Sequence, residues 1–233
     1  MDNIKKCFKY LGITLLLFLL HIIFPTYIMS NIKKLNFIYI DNKFVFTIVA
    51  ITTYLIELAL FSFIFRKKLI NSADKDLKND FKYHFKLWLI GLMLMILFNV
   101  IINILLFKGS TATNEALNRK YLSKYPIYSI FSILLYAPFC EELIFRCSLK
   151  RGFKYCITFA FCSGILFGGI HIFETLLTVN NTSEFINQLL YIFPYGALGF
   201  SFAYAYFKTD NIIADILTHF MHNLFVLLLL IIF

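Results

Sequence analysis

Charge is scarce in this chain. Only 15% of its 233 residues are Asp, Glu, Lys or Arg, against 60% hydrophobic residues that include 29 Phe and 14 Tyr. A soluble core of this size has no use for so much apolar mass, and the soluble classes are set aside. Paired cysteines are missing as well. Cys7, Cys140, Cys147, Cys156 and Cys162 form no CxxC pair and no zinc-ribbon spacing, so they read as small hydrophobes rather than a disulfide framework. A leader cleavage site is also lacking. Lys5, Lys6 and Lys9 precede a long apolar run, but no small-x-small site follows it, and the run reads as a first membrane span.

The long uncharged runs dominate what is present. A helix crosses the hydrocarbon in roughly 20 residues. Runs of that kind predict spans at 10–29, 44–65, 85–107, 127–149, 155–177, 186–207 and 211–232. The expected fold is therefore all-α: a polytopic transmembrane helix bundle of about seven spans. An interfacial helix within the polar segment 108–126, ended by Pro126, would make an eighth element. Residues 1–124 hold spans one to three, and 125–233 hold the rest. The net charge of +9 lies beside the spans, where lysines set topology against anionic lipid; a nucleic-acid partner is not indicated. With the N-terminus inside, the inner segments 1–9, 66–86, 146–154 and 208 carry 15 of the 22 basic residues. The other seven fall in the outer loops 30–43 and 108–126, and "TVNNTSEF" has none. This bias predicts a multi-pass cell-membrane protein with a cytoplasmic N-terminus.

Most polar residues in the spans have a plain reading. Asn99 and Asn103 are i,i+4 neighbours expected to bond another helix, and His21 is expected to be interfacial or satisfied by a neighbour. Glu57 reads as paired or protonated, with a functional role as the alternative. The second half differs. "YAPFCEELIFRC" places Glu141, Glu142 and Arg146 in span four. Phe167 and His171 follow in span five, and His219, His222 and Asn223 in span seven. Glu142 and Arg146 are i,i+4 and predict an ion pair. Glu141 points about 100° away and is left free to react. His219 and Asn223 are again i,i+4; His222 lies on nearly the same face. Counted at 1.5 Å per residue, Glu141 and His219 lie at similar depths of about 16 and 12 Å, whereas His171 comes out too deep, at about 27 Å. Access is expected from the inner face, with Leu149 and Asn211 at its mouth and Asn181 outside.

"EELIFR", "FGGIH" and "HFMHN" resemble, in order and type, the EExxxR, FxxxH and HxxxN motifs of the CPBP intramembrane proteases. That family includes CAAX prenyl endopeptidases and bacteriocin-processing or self-immunity proteins. The resemblance covers about residues 125 to 225. It implies hydrolysis of a peptide bond in a membrane-associated protein or peptide. Glu141 would be the water-activating base, His171 its partner, His219 and Asn223 the oxyanion donors, and Glu142 and Arg146 the support. A carboxylate in an apolar cavity suits a general base, and imidazole and amide donors suit an oxyanion. Glu141, His171 and His219 could also hold one zinc ion with a position left for water, although HExxH is absent and a glutamate–histidine pair needs no ion. Two other classes stay open at this point: a proton-coupled transporter, and a non-catalytic immunity or scaffold protein of the same fold.

Overall fold

The computed structural model describes residues 2–34, 43–106, 113–179 and 182–232, and among them it is helical with no strand. The helices are α1 (Asp2–Lys34), α2 (Lys43–Ile64), α3 (Arg66–Ala73), α4 (Leu77–Leu106) and α5 (Thr113–Lys124). They continue with α6 (Pro126–Ser148), α7 (Cys156–Thr178), α8 (Thr182–Leu189), α9 (Ile192–Thr209) and α10 (Ile212–Ile232). Much of the expected outer loop at 30–43, the start of that at 108–126, and Asn181 lie outside the described residues.

Among the described residues, α1, α2, α4, α6, α7 and α10 are long and apolar enough to cross a membrane. The chain is a multi-pass membrane protein. The span expected at 186–207 is instead divided into α8 and α9, separated by a turn at Leu190 and Tyr191. Pro194, Gly196, Gly199 and Ser201 make α9 too polar for its length to qualify by composition. Its neighbours supply the shielding, since Leu198, Phe202, Ala203, Ala205 and Tyr206 are all buried. α9 still runs the full depth of the bundle, from the Ile102–Ile172–Tyr191 cluster to Lys150. The helix expected within 108–126 is present as α5, and Pro126 opens α6 at its first position.

Two close approaches fix the centre. A Cβ on Gly164 would sit 2.7 Å from the Gly196 carbonyl, and one on Gly168 would sit 2.6 Å from that of Ile192. Only glycine at both positions lets α7 and α9 meet backbone to backbone, as small residues spaced by four do in membranes. The two ends of the bundle are chemically different. At one, Lys68, Lys75 and Lys150 converge on Asp210 and the last carbonyls of α9, with Nζ–Oδ separations of 2.6, 3.4 and 2.6 Å. Asn211 then caps α10, accepting the N–H groups of Ile213 and Ala214 on Oδ1. At the other end, Arg119 of α5 donates to the Leu230 carbonyl near the close of α10 (3.3 Å).

α6 is not a regular helix. It takes π-helical turns at Ser132–Tyr136 and Leu143–Ser148, with a single α-helical stretch, Ala137–Glu142, between them. Pro138 has no N–H and cannot serve the carbonyl one turn back. In the π register Ala137 N–H bonds the Ser132 carbonyl. The next carbonyl, that of Ile133, would look to residue 138 and find no donor. Such turns collect at functional sites, and here they bracket the paired acids.

Candidate active site

The expected ion pair is formed. Arg146 Nε lies 3.0 Å from Glu142 Oε2, and both side chains are fully buried. The guanidinium also donates weakly to the Gly199 carbonyl (3.4 Å) and stacks over the Phe167 ring at 4.6 Å. Phe167 thus does more than fill space: its ring also borders His171 at 4.5 Å and His219 at 5.6 Å, between centroids. The other Glu142 oxygen accepts from His219 Nδ1 at 2.7 Å. That bond turns His219 Nε2 toward Glu141 Oε2, 4.0 Å away.

Glu141 differs from its neighbour in having no ion pair closer than 4.0 Å. Its Oε2 is buried with no hydrogen-bond partner among the described residues. It faces a cavity of about 310 Å³ that also takes in His171, His219, His222 and Asn223. His171 donates from Nδ1 to the Phe167 carbonyl (2.8 Å), since a carbonyl only accepts. Its Nε2 therefore keeps a lone pair. His222 is the converse case. The Trp88 indole, which only donates, reaches its Nδ1 at 3.2 Å, so the proton of the neutral ring sits on Nε2. Asn223 donates to the orphaned Ile133 carbonyl at 2.7 Å and still has a second amide hydrogen.

The depth mismatch at His171 has a register explanation. Ser163 Oγ donates to the Phe145 carbonyl, so α7 lies beside α6 with residue 163 level with 145. Four residues on, 167 is level with 141, and His171 is one turn further. Side chains lean toward the N-terminus of their own helix, so Glu141 and His171 on these antiparallel helices lean toward each other. α7 simply starts further toward the basic end than α6 stops.

The floor of the site contains two residues that the motifs do not include. Asp215 is fully buried, one turn before His219 on α10. His84 Nδ1 stands 3.2 Å from Asp215 Oδ1, and its Nε2 lies 2.8 Å from Thr209 Oγ1. The sequence offered one signal for Asp215, which stands four before His219 on the same face; His84, far away on α4, offered none.

Other expectations resolve plainly. Glu57 is paired: His21 Nδ1 lies 2.8 Å from Oε1, and Tyr136 donates to Oε2 at 2.7 Å. Among the described residues Asn99 bonds the Met95 carbonyl of its own helix rather than another helix. The expected mouth is the main correction. No α6 residue beyond Glu141 and no α10 residue before His219 lines the cavity. Leu149 and Asn211, the expected mouth, are both fully buried. Every side chain from Glu142 to Leu149 is buried.

A zinc ion finds donor atoms here but not their spacing. Among the described residues the His/Cys/Asp/Glu group with donor atoms within 4.8 Å of one another is His21, Glu57 and Cys140, not Glu141, His171 and His219.

Residues 123–225 match a family model described as type II CAAX prenyl endopeptidase Rce1-like. No curated protein and no solved structure matches the chain. The matched segment contains all three motifs and every residue around the cavity except Met95, Asn118 and the last turns of α10. The likeness to the Rce1-like type II CAAX prenyl endopeptidase family thus lies in the segment that holds the site, residues 123–225.

Proposed function

We propose that the chain is an intramembrane endopeptidase of the cell membrane that hydrolyses a peptide bond in a membrane-associated protein or peptide. The observation that carries this reading is that Glu141, alone among the acids of the site, faces the cavity shared with His171 and His219 and makes no hydrogen bond or ion pair closer than 4.0 Å among the described residues. A structural carboxylate would be paired there, as Glu57 and Glu142 are. In the proposed reaction Glu141 takes a proton from water as the water attacks the scissile carbonyl, and His171 Nε2 orients that water. His219, carrying both protons, donates from Nε2 to the oxyanion, joined by the second amide hydrogen of Asn223. The proton held by Glu141 then passes to the leaving amine. Glu142 and Arg146 hold His219 in place. No step is routed through a metal.

The test is a comparison of peptide termini in membranes from cells carrying the native chain and cells carrying Glu141→Gln. The substitution keeps shape and removes the base, so termini unique to the native chain should vanish while the variant stays inserted and equally extractable. Identical peptide profiles would support the non-catalytic scaffold instead. Cleavage should also persist with 1,10-phenanthroline present.

A further inference from the structure

The walls of the cavity carry opposite polarity. On one side stand groups that accept: the carboxylate of Glu141 on α6 and the bare Nε2 of His171 on α7. Facing them, α10 brings His219, His222 and Asn223 to the cavity, three positions that share a helix face. Each ends in an N–H. His219 Nδ1 is committed to Glu142, which leaves Nε2 to face inward, and Asn223 spends one amide hydrogen on the Ile133 carbonyl and keeps the other. The proposed oxyanion uses those two donors and leaves His222 without a task. Yet His222 is set up as closely as they are. The indole Nε1 of Trp88 lies 3.2 Å from its Nδ1, and an indole nitrogen can only donate. A ring protonated on Nδ1 would meet it hydrogen to hydrogen, so the imidazole is neutral and its proton sits on Nε2. Among the described residues Nε2 has no partner, and the ring lines the cavity. Trp88 is itself held in place by Leu198 and Phe202 of α9 and by the edge-on ring of Phe225 at 6.3 Å.

We propose that His222 is a substrate-binding residue whose Nε2–H takes a backbone carbonyl of a residue flanking the cleaved bond. Trp88, from a helix outside the family-matched segment, is the positioning residue that keeps the proton there. A neutral donor with no carboxylate behind it gains little as negative charge develops, so it holds the substrate and the transition state about equally. Its spacing suits an extended chain. His222 stands three residues past His219, about 4.5 Å further along α10. In an extended strand the next carbonyl on the same side is two residues away, about 6.6 Å, a difference within the reach of an imidazole. A helical segment has its carbonyls committed to its own N–H groups and offers no such pair. The substrate therefore meets α10 as an extended backbone held at two carbonyls, one by His219 and Asn223 and the other by His222.

This inference rests on the protease reading, but half of its test needs no substrate. Nitrogen-15 NMR of the histidine-labelled full chain in detergent reports which ring nitrogen is protonated, and the His222 signals are those lost in His222→Gln. Native His222 should be the Nε2–H form. Trp88→Phe keeps an aromatic ring and removes the donor, and should admit the Nδ1–H form. A native ring protonated on Nδ1 overturns the proposal, and so does a tautomer that Trp88→Phe leaves unchanged. Kinetics are then measured on the peptide whose termini distinguish native membranes from Glu141→Gln membranes. His222→Ala and Trp88→Phe should each raise KM by about three- to tenfold, with kcat within about twofold of native. The double variant should match His222→Ala alone, because Trp88 acts through His222. His222→Gln keeps an N–H and should recover part of the affinity. A fall in kcat at unchanged KM overturns the proposal, as do additive losses in the double variant. A chain that shows the expected tautomers and cleaves nothing counts against the protease reading alone.

Discussion

The 2.7 Å bond between Glu142 and His219 decides which imidazole nitrogen faces the cavity. With Nδ1–H committed to Glu142, only Nε2 can reach toward Glu141 and a bound substrate. His222 has a donor of its own on Nε2, kept there by Trp88, yet no carboxylate backs it. The two histidines should therefore differ in weight. Removing a backed oxyanion donor costs about 10²–10³ in rate. His219→Ala should lower cleavage by about 100-fold or more. His222→Ala should lower it by no more than about tenfold, the worth of one ordinary hydrogen bond. Rates for both variants in one vesicle preparation decide the matter, and the opposite ranking would make His222 the principal donor.

Elements explain why these residues can meet at all. Pro138 forces α6 out of the α register, and the π turns on either side of 137–142 set the directions of Glu141 and Glu142. Asn223 then ties α10 to the carbonyl that the proline leaves without a donor. At the opposite end of α10, the clamp on Asp210 joins α3, α6 and α9. Asp210 takes a left-handed conformation, φ 54°, as the closing residue of α9, where Asn is tolerated as well. Burial alone would push its carboxyl up, but the hydrogen bonds and charges of Lys150 and Lys68 outweigh it and hold it down at about 2. Lysines at a helix C-terminus also meet the negative end of its dipole. Asp210→Asn keeps the backbone and removes the charge, and should lower the Tm in detergent by a few degrees. A depressed carboxyl stabilises above its ordinary value, 3.8, and loses that contribution as pH falls through about 2. The gap between native and variant should be steady above pH 4 and close below it. A gap that persists at the acid limit would mean the charge is not what holds these elements together.

On the scale of the whole molecule, the matched domain does not stand alone. α4 lies outside residues 123–225, yet it supplies Trp88 to His222 and His84 to Asp215. α1 and α2 supply His21 and Glu57, which hold Tyr136 one residue before the α-helical stretch with the paired acids. Residues 125–233 expressed without the first half should insert poorly and show no cleavage. Co-expression with residues 1–124 should restore part of it, measured by the same comparison of peptide termini. Full activity from 125–233 alone would show that the N-terminal helices are only an anchor.

The membrane class, the long crossing helices and the acid–histidine set were legible in the sequence, because each depends on local pattern. Twenty apolar residues make a span wherever they stand, and i,i+4 spacing brings Glu142 to Arg146 on any helix. What depended on two segments meeting was not legible. Nothing near Glu57 announces His21, and nothing in "FKYHFK" announces Asp215. The bounds expected for the span at 186–207 were missed for the same reason. Composition measures exposure to lipid, while α9 is shielded by α4 and α7 and can carry Pro194 and Ser201 in the interior. The lining of the cavity was also a tertiary decision. Depth along single helices placed Glu141 and His219 nearer the basic end. Which residues line the space around them depends on what packs there, and the side chains from Glu142 to Leu149 are buried while Glu141 and His219 line the cavity.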